Sequence, residues 1–201
     1  MNDNRIDRLL HLILTDGRRV QVHGQSVAEH CVQTAALAWN ASAPLTLVAA
    51  ALLHDVALLV DEMVGNAGGL DLDPRHEVMA ADILEPVFGA PVAEPVRLHG
   101  VAGRYLALTE PDYLRGLAPS VREDLLSDVE AAQDGGGAPL SDVEFVRAFV
   151  ANPWAAAAVR LRRWDDRSSG GGARGAELMS RSELADLLHR VARSAQQPLS
   201  A

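Results

Sequence analysis

The stretch LTLVAAALLHDVALLV, residues 45–60, is strongly apolar and yet carries His54 and Asp55 side by side. It is too long for a buried strand, so it predicts a central helix from Leu45 to about Val60. A buried carboxylate is costly unless it is paired or bound to a metal. Either His54 and Asp55 mark an exposed edge of this helix, or they face a cation inside the protein.

The rest of the chain also predicts helices and no convincing strand. Apolar residues recur at helical spacing over residues 4–14. Ser26 and Glu29 form a capping box ahead of the helix VAEHCVQTAALAWN, and Ser180 and Glu183 form another ahead of the last helix. Further helices are predicted near 74–88, 91–107, 119–131, 141–150 and 153–164. The pattern is that of an all-α protein.

Length and composition predict one globular domain. The 201 residues are 48% apolar and 22% charged, which is typical of a soluble protein. We expect a single domain over 1–201, with a functional core at about 26–166, a glycine-rich loop at 168–175 and a C-terminal helix at about 181–194. Neither this loop nor the glycine-rich stretch at 134–139 precedes a Gly-Lys-Ser/Thr signature, which argues against a phosphate loop.

The net charge and the cysteine content limit which binding partners and which cellular compartment we expect. The formal net charge of -9 argues against nucleic acid and anionic membranes as partners. The single cysteine, Cys31, excludes an internal disulfide and fits a reducing compartment. The opening residues do not resemble a signal peptide, and no apolar run is long enough to span a membrane. We expect a cytoplasmic monomer or homodimer that acts on a small molecule.

Imidazoles and carboxylates interrupt the apolar faces of five predicted helices. Neutral histidine and ionised aspartate are standard ligands of borderline metal ions, and a cation would compensate a buried carboxylate. Any one histidine is more often an ordinary core or surface residue, which is our interpretation of His11 and His189. The ordered set is more specific than its members. It consists of His30, His54, Asp55, His76, His99 and Asp165.

Two of these aspartates carry further expectations. Asp55 has two carboxylate oxygens, so it could bridge two metal ions. Asp165 is followed directly by Asp166, and neighbouring helical side chains diverge by about 100°. We therefore expect only Asp165 to face the metals, with Asp166 holding a histidine or an arginine beside them.

The order EH…LLHD…H…H…RRWDD resembles the HD-domain superfamily of metal-dependent helical proteins, and more narrowly its mixed-valent di-iron oxygenase branch. That branch includes myo-inositol oxygenase and the phosphonate-cleaving oxygenase that acts on 2-amino-1-hydroxyethylphosphonate. The resemblance covers about residues 26–166 and implies an HD-domain helical bundle with a buried dinuclear site. It implies that one iron binds His30, His54, Asp55 and Asp165, and that the other binds Asp55, His76 and His99.

The resemblance also implies a reaction. An O2-dependent oxygenase with an Fe(II)/Fe(III) pair would cleave a C–P or C–C bond of a small α-hydroxylated organic acid, with a phosphonate as one candidate. Asp55 would be catalytic as the bridging ligand. The alternative is an HD-type phosphohydrolase acting on a nucleotide or phosphate ester, which the six ligands do not exclude. The RRWDD context favours the oxygenase. A third, weaker reading is a metal-binding regulatory domain without turnover.

The sequence departs from this family around the substrate. Its phosphonate-cleaving members carry lysines where this chain has Gly103 and Ser169, and all eighteen basic residues here are arginines. A tyrosine and a glutamate that close over substrate in the family correspond to Val20 and His23. We therefore expect poor turnover of 2-amino-1-hydroxyethylphosphonate and a preference for a less charged or larger α-hydroxy acid.

Replacements for the missing residues can be named. His23 is our candidate for the lost glutamate, as a catalytic and substrate-binding residue, although a plain surface histidine is about as compatible with its position. Arg104 and Arg163 are candidates for the anion site, with Arg167 and Arg174 as further options, because arginine binds phosphonate or carboxylate in a bidentate manner. The alternatives are a surface ion pair for Arg104 and a solvated helix-end charge for Arg163.

Overall fold

The computed structural model describes residues 2–22, 24–63, 76–134, 141–169 and 177–196. Within these ranges the chain is almost entirely helical, which confirms the all-α prediction. The helices are α1 Asn2–Leu14, α2 Val27–Asn40, α3 Leu45–Leu53, α4 Val56–Met63, α5 His76–Phe88, α6 Ala90–Thr109, α7 Tyr113–Gly116, α8 Pro119–Asp134, α9 Asp142–Ala151, α10 Ala155–Ser169 and α11 Arg181–Ala195. Two short strands, β1 Gln21–Val22 and β2 Gln25–Ser26, pair antiparallel just before α2.

Capping boxes fix where several helices begin. The hydroxyl of Ser26 accepts a hydrogen bond from the backbone N–H of Glu29, and the Glu29 carboxylate accepts one from the backbone N–H of Ser26. The box predicted at Ser180 is also present, and a third at Ser141 begins α9. Each box satisfies backbone donors that the first turn of a helix leaves without partners. The predicted starts of α2 and α11 are confirmed.

Helix α3 lies at the centre of the bundle. Every residue from Leu47 to Leu53 is buried, and the helix packs against α2, α6, α10 and α11. Three consecutive alanines, Ala49 to Ala51, have no exposed surface, so neighbouring helices approach α3 closely. Burying each leucine contributes about 1.5–3 kcal/mol, so this core fixes the residues that follow it.

The prediction of one unbroken helix over 45–60 is wrong. Helix α3 ends at Leu53, and α4 begins at Val56, so His54 and Asp55 form the junction. Nδ1 of His54 lies 3.0 Å from the carbonyl oxygen of Ala51, and the sulfur of Cys31 contacts the backbone of Asp55. The junction allows two consecutive side chains to reach one cluster, although in a continuous helix they would diverge.

The helix predicted to end at residue 164 is longer than expected. Helix α10 continues to Ser169, so Asp165, Asp166 and Ser168 all lie on it. Helix α5 begins at His76, and Asp73 and Pro74, which the sequence suggests as its N-cap and first position, lie outside the described residues. The last helix, α11, packs against α1, α3 and α5. None of the described helices combines the length and the apolar character needed to cross a membrane.

Candidate metal centre and cavity

Four side chains from α2, α10 and the α3–α4 junction converge on one point. Nε2 of His30 lies 3.1 Å from Nε2 of His54 and 3.0 Å from Oδ1 of Asp165. Oδ2 of Asp55 lies 3.6 Å from Nε2 of His30 and 3.4 Å from Nε2 of His54. The side chains of His30, His54 and Asp55 are almost fully buried, and Asp165 is 15% exposed. The structure thus brings together the first predicted ligand set.

A second group shares Asp55 with the first. One ligand atom from each of Asp55, His76 and His99 lies within 4.8 Å of the other two. His76 comes from the first turn of α5 and His99 from the middle of α6, so two further helices supply this group. The rings of His54 and His99 are 5.2 Å apart, which places the groups side by side. All six predicted residues therefore lie in one connected cluster.

Hydrogen bonds orient three of the imidazoles. Nδ1 of His54 donates to the carbonyl oxygen of Ala51 at 3.0 Å, and Nδ1 of His99 donates to that of Val96 at 2.6 Å. A carbonyl only accepts, so the proton belongs on Nδ1, and Nε2 presents its lone pair to the cluster. Ser168 places its hydroxyl 3.0 Å from Nδ1 of His30 and can accept from it in the same way. Such partners are typical of metal-binding histidines.

The electrostatics of the cluster favour a cation. Burial alone would lower the pKa of His54, but the carboxylates of Asp55 and Asp165 raise it to about 9. Burial and the neighbouring His54 lower the pKa of His99 to about 3. Burial would raise the pKa of Asp165, but His30, His54 and Arg162 hold it well below its ordinary value. The two carboxylates therefore stay ionised and attract positive charge, which a metal ion supplies by displacing protons.

The spacing of the cluster also fits metal ions. Two ligand atoms that each lie about 2.1 Å from one ion, at right-angled to tetrahedral angles, are about 3.0–3.4 Å apart. The contacts among His30, His54, Asp55 and Asp165 run from 3.0 to 3.7 Å. Nitrogen and carboxylate oxygen donors suit several first-row ions, iron included. The residues present fit a metal at the first group and, through Asp55, a second metal beside it.

A cavity of about 60 Å³ opens beside this cluster. It reaches His76 and His99 from the second group, and Val121 and Leu125 of α8 form part of its apolar wall. Three more charged side chains line it, namely Glu77, Asp124 and Arg162. A small anionic molecule in this cavity can therefore contact the cluster and a guanidinium together.

The two adjacent aspartates of α10 point to different partners, as helix geometry predicts. Asp165 faces His30, whereas Oδ1 of Asp166 accepts a hydrogen bond from Nε of Arg162 at 2.8 Å. The other oxygen of Asp166 accepts one from the hydroxyl of Tyr113 at 2.6 Å. Burial and the nearby charge of Asp165 raise the pKa of Asp166 to about 6, against the opposing effect of Arg162. Asp166 therefore serves an arginine and not the cluster.

Arg162 is the arginine that sequence reasoning missed. Its side chain is 11% exposed and lines the cavity. A Cβ atom on Gly103 would lie 3.2 Å from Cζ of Arg162, so the guanidinium occupies the space beside the position where the family has a lysine. The sequence did contain a signal. Arg162 lies three residues before Asp165 and four before Asp166, and residues at these spacings lie on the same face of a helix.

The arginines named from the sequence have other partners. Arg104 pairs with Asp142 at 3.2 Å and lies 4.2 Å above the ring of Phe145. Arg163 is exposed on α10 and pairs with Glu110. Among the described residues that line the cavity, neither arginine is present. Of the three arginines, only Arg162 lines this cavity among the described residues, so the roles given to Arg104 and Arg163 stay predictions.

The structure describes only some of the other residues predicted to lie near the substrate. His23 and Arg174 lie outside the described residues, so the hypotheses about them stay predictions. Val20 is buried in the core. Ser169 lines the cavity, with its hydroxyl 3.5 Å from Nδ1 of His30. Where the family has its second lysine, this chain therefore has a short side chain, Ser169, whose hydroxyl contacts His30 of the cluster.

Glu77 is a second residue that the sequence did not single out. It follows His76 directly, is 9% exposed and lines the cavity. Its carboxylate packs so closely on α6 that a Cβ atom on Gly100 would lie 2.0 Å from Oε1. Gly100, one residue after His99, is therefore required for Glu77 to occupy this position.

Comparison with known proteins gives relatives over most of the chain. No protein-family model matches. The chain is 36% identical over 173 residues to a hydroxymethylphosphonate dioxygenase of Gimesia maris, a match covering 79% of this chain and 82% of that protein. It is 31% identical over 142 residues to the 1-hydroxy-2-(trimethylamino)ethylphosphonate dioxygenase (glycine-betaine-forming) of Leisingera caerulea, covering 70% and 67%.

These relatives are oxygenases, and their names do not favour the phosphohydrolase alternative. Their similarity extends over most of the chain, their names imply the use of dioxygen, and the histidine–aspartate cluster could hold a metal. The chain is an enzyme that belongs to the phosphonate-cleaving branch of the HD-domain oxygenases.

Proposed function

We propose that this enzyme uses dioxygen to cleave the C–P bond of hydroxymethylphosphonate, with two iron ions bound at the histidine–aspartate cluster. The carrying observation is the convergence of six ligand-type side chains from five places in the fold, in two groups that share Asp55, beside a cavity lined by Arg162. A resident metal pair explains the buried carboxylates, and the arginine explains how an anion is held next to them.

The ligand assignment follows the two groups. His30, His54, Asp55 and Asp165 would hold one iron, and Asp55, His76 and His99 would hold the other. When bound, the iron pair supplies the redox chemistry with dioxygen. The chain itself fixes the ligand nitrogens through the carbonyls of Ala51 and Val96 and keeps the surroundings largely buried. His23 remains our candidate for the family's closing glutamate.

Arg162 would bind the phosphonate group. A phosphonate carries up to two negative charges, and burying it without a positive partner is costly. The Arg162 guanidinium is held in the cavity wall by Asp166 and has further N–H donors for a ligand. Gly103 and Ser169 stand where the family has lysines. Among the described residues that line the cavity, Arg162 is the arginine that can replace their positive charge.

The cavity favours a small substrate, in contrast to the larger α-hydroxy acid that the sequence offers as one option. No phenylalanine, tyrosine or tryptophan is among the described residues that line it, whereas quaternary ammonium groups are commonly bound by aromatic rings. Its volume is about 60 Å³, which suits a small ligand. These features support hydroxymethylphosphonate, named for the Gimesia maris relative, over the trimethylaminated compound named for the other.

The reaction balances without a further reductant. Hydroxymethylphosphonic acid and one dioxygen give one formic acid and one phosphoric acid. The C–P bond, one C–H bond and the O–O bond break. The carbon gains two bonds to oxygen, phosphorus gains one P–O bond, and the hydrogen of the broken C–H bond becomes an acidic hydrogen of the products. The four electrons that leave the substrate reduce the dioxygen, whose atoms end in the products. The substrate therefore supplies all the electrons that the oxidant accepts.

The test is a substrate screen with iron-loaded protein in air. Phosphate release is measured from hydroxymethylphosphonate, its trimethylaminated relative, 2-amino-1-hydroxyethylphosphonate and a nucleoside monophosphate. We expect hydroxymethylphosphonate to have the highest kcat/KM, about tenfold or more above the aminated phosphonate. Phosphate from the nucleotide, with none from any phosphonate, would instead identify a hydrolase.

A further inference from the structure

Behind Arg162, a hydrogen-bonded chain leads from the cavity to the far side of α10. Nε of Arg162 donates to Oδ1 of Asp166 at 2.8 Å, and the hydroxyl of Tyr113 donates to Oδ2 at 2.6 Å. The side chain of Asp166 is 9% exposed. Both carboxylate oxygens of Asp166 are therefore engaged, one by an arginine of the cavity wall and one by a tyrosine outside it.

Tyr113 does not belong to the cavity that Arg162 lines. It lies on the short helix α7 and, with Asp166, borders a separate surface groove next to Glu110 and Arg167. Asp166 thus lies between the cavity and this groove. A change at Tyr113 can reach a ligand in the cavity only through the residues between them.

An arginine side chain loses about 2 kcal/mol of rotamer freedom when it is fixed, so an arginine held before the ligand arrives binds an anion more tightly. Residues from α10, α7 and α6 fix the position of the Arg162 side chain. Asp166 accepts a hydrogen bond from Nε of Arg162, and Tyr113 donates one to Asp166 and also contacts Arg162 itself. Gly103 of α6 leaves room for the guanidinium, since an added Cβ would lie 3.2 Å from Cζ. The arrangement is that of a preorganised anion contact.

We propose that Tyr113 is a positioning residue for substrate: together with Asp166 it holds the Arg162 guanidinium in place for the anionic group of the substrate. This inference rests on the proposed function in so far as the substrate is a phosphonate. The segment that carries Tyr113 then sets substrate affinity from outside the cavity, without contact with the substrate or the cluster.

The test compares Tyr113→Phe with Tyr105→Phe, since Tyr105 stacks on Phe149 at 4.7 Å. Binding of methylphosphonate, which has no carbinol to oxidise, is measured by calorimetry on the metal-loaded protein, together with KM and kcat for hydroxymethylphosphonate. We expect Tyr113→Phe to weaken methylphosphonate binding and raise KM by about 3- to 10-fold, with kcat and metal content unchanged. Tyr105→Phe should match the wild type.

A double mutant separates positioning from a general structural effect. In an Arg162→Leu background, Tyr113→Phe should cause no further loss of methylphosphonate binding, because the side chain that it positions is gone. Equal loss in both backgrounds, no loss in the wild-type background, or loss of metal would overturn the proposal, as would failure of the wild type to bind methylphosphonate. If the wild type binds methylphosphonate but does not oxidise hydroxymethylphosphonate, the proposed function fails while the positioning role is still decided by the two backgrounds.

Discussion

The ligand cluster and the anion side of the cavity share helix α10 but are built differently. In the cluster, short side chains converge from five places, and nearby backbone carbonyls orient His54 and His99. On the anion side, one long side chain, Arg162, depends on Asp166 and Tyr113 to hold it. The cluster is fixed by the central helices, and the anion contact by a chain of side-chain hydrogen bonds.

This difference separates two kinds of sensitivity. Loss of a cluster residue removes a metal ligand and leaves a buried charge without compensation. It therefore lowers the activity toward every substrate equally. Loss of a residue on the anion side removes a contact with one part of the substrate and no metal ligand, so its main effect is on substrate affinity. Within a family, the second region can therefore change while the first is kept.

The largest effect is expected from Asp55→Ala. Asp55 is the one residue shared by both groups, so its loss should empty both metal sites and abolish turnover. The control is His99→Ala, which should retain the metal of the first group and lose only the second. Metal content per chain, measured by plasma emission spectrometry, checks both. A full metal complement in Asp55→Ala would show that the bridge is wrongly assigned.

Arg162→Leu should have the next largest effect. A charge-assisted hydrogen bond contributes about 1.5–3 kcal/mol, so KM for hydroxymethylphosphonate should rise about 10- to 100-fold. Arg163→Leu is the matched control on the same helix, because Arg163 pairs with Glu110 outside the cavity. Steady-state kinetics of both variants measure the two KM values for hydroxymethylphosphonate. If Arg163→Leu gives the larger rise in KM, the anion site lies on the other face of α10.

Ser168→Ala should have the smallest effect. The hydroxyl of Ser168 lies 3.0 Å from Nδ1 of His30, but Gln25 and Ser169 also approach that nitrogen. Loss of one such partner should weaken metal binding at the first group by about 10-fold and leave KM nearly unchanged. Competition for iron with a chelator of known affinity measures this. A rise in KM without weaker metal binding would place Ser168 on the anion side.

The fold and the composition of the cluster could be predicted because their signals are local. Capping boxes at Ser26 and Ser180 mark helix starts, and histidines and aspartates on apolar helix faces stand out against the residues around them. The break at His54 and Asp55 was missed, because the apolar pattern continues through it. At the break, His54 and Asp55 contact Ala51 and Cys31, and helical periodicity does not reveal such contacts.

The anion side could not be predicted from the sequence because it is a tertiary arrangement. Gly103, Tyr113 and Arg162 come from three separate helices, and only their packing shows that the guanidinium lies beside the glycine. Among many arginines, exposed Arg163 and buried Arg162 are neighbours in sequence and differ only in the face of α10 that they occupy. Choosing between them requires the helix orientation.

The most direct test of the central claim is the stoichiometry of oxygen use. Iron-loaded protein is mixed with a limiting amount of hydroxymethylphosphonate, and oxygen uptake, formate and phosphate are measured in the same sample. Oxidative C–P cleavage predicts one dioxygen consumed for each formate and each phosphate formed, and no phosphate without oxygen. Phosphate release that continues under nitrogen at the same rate would contradict it.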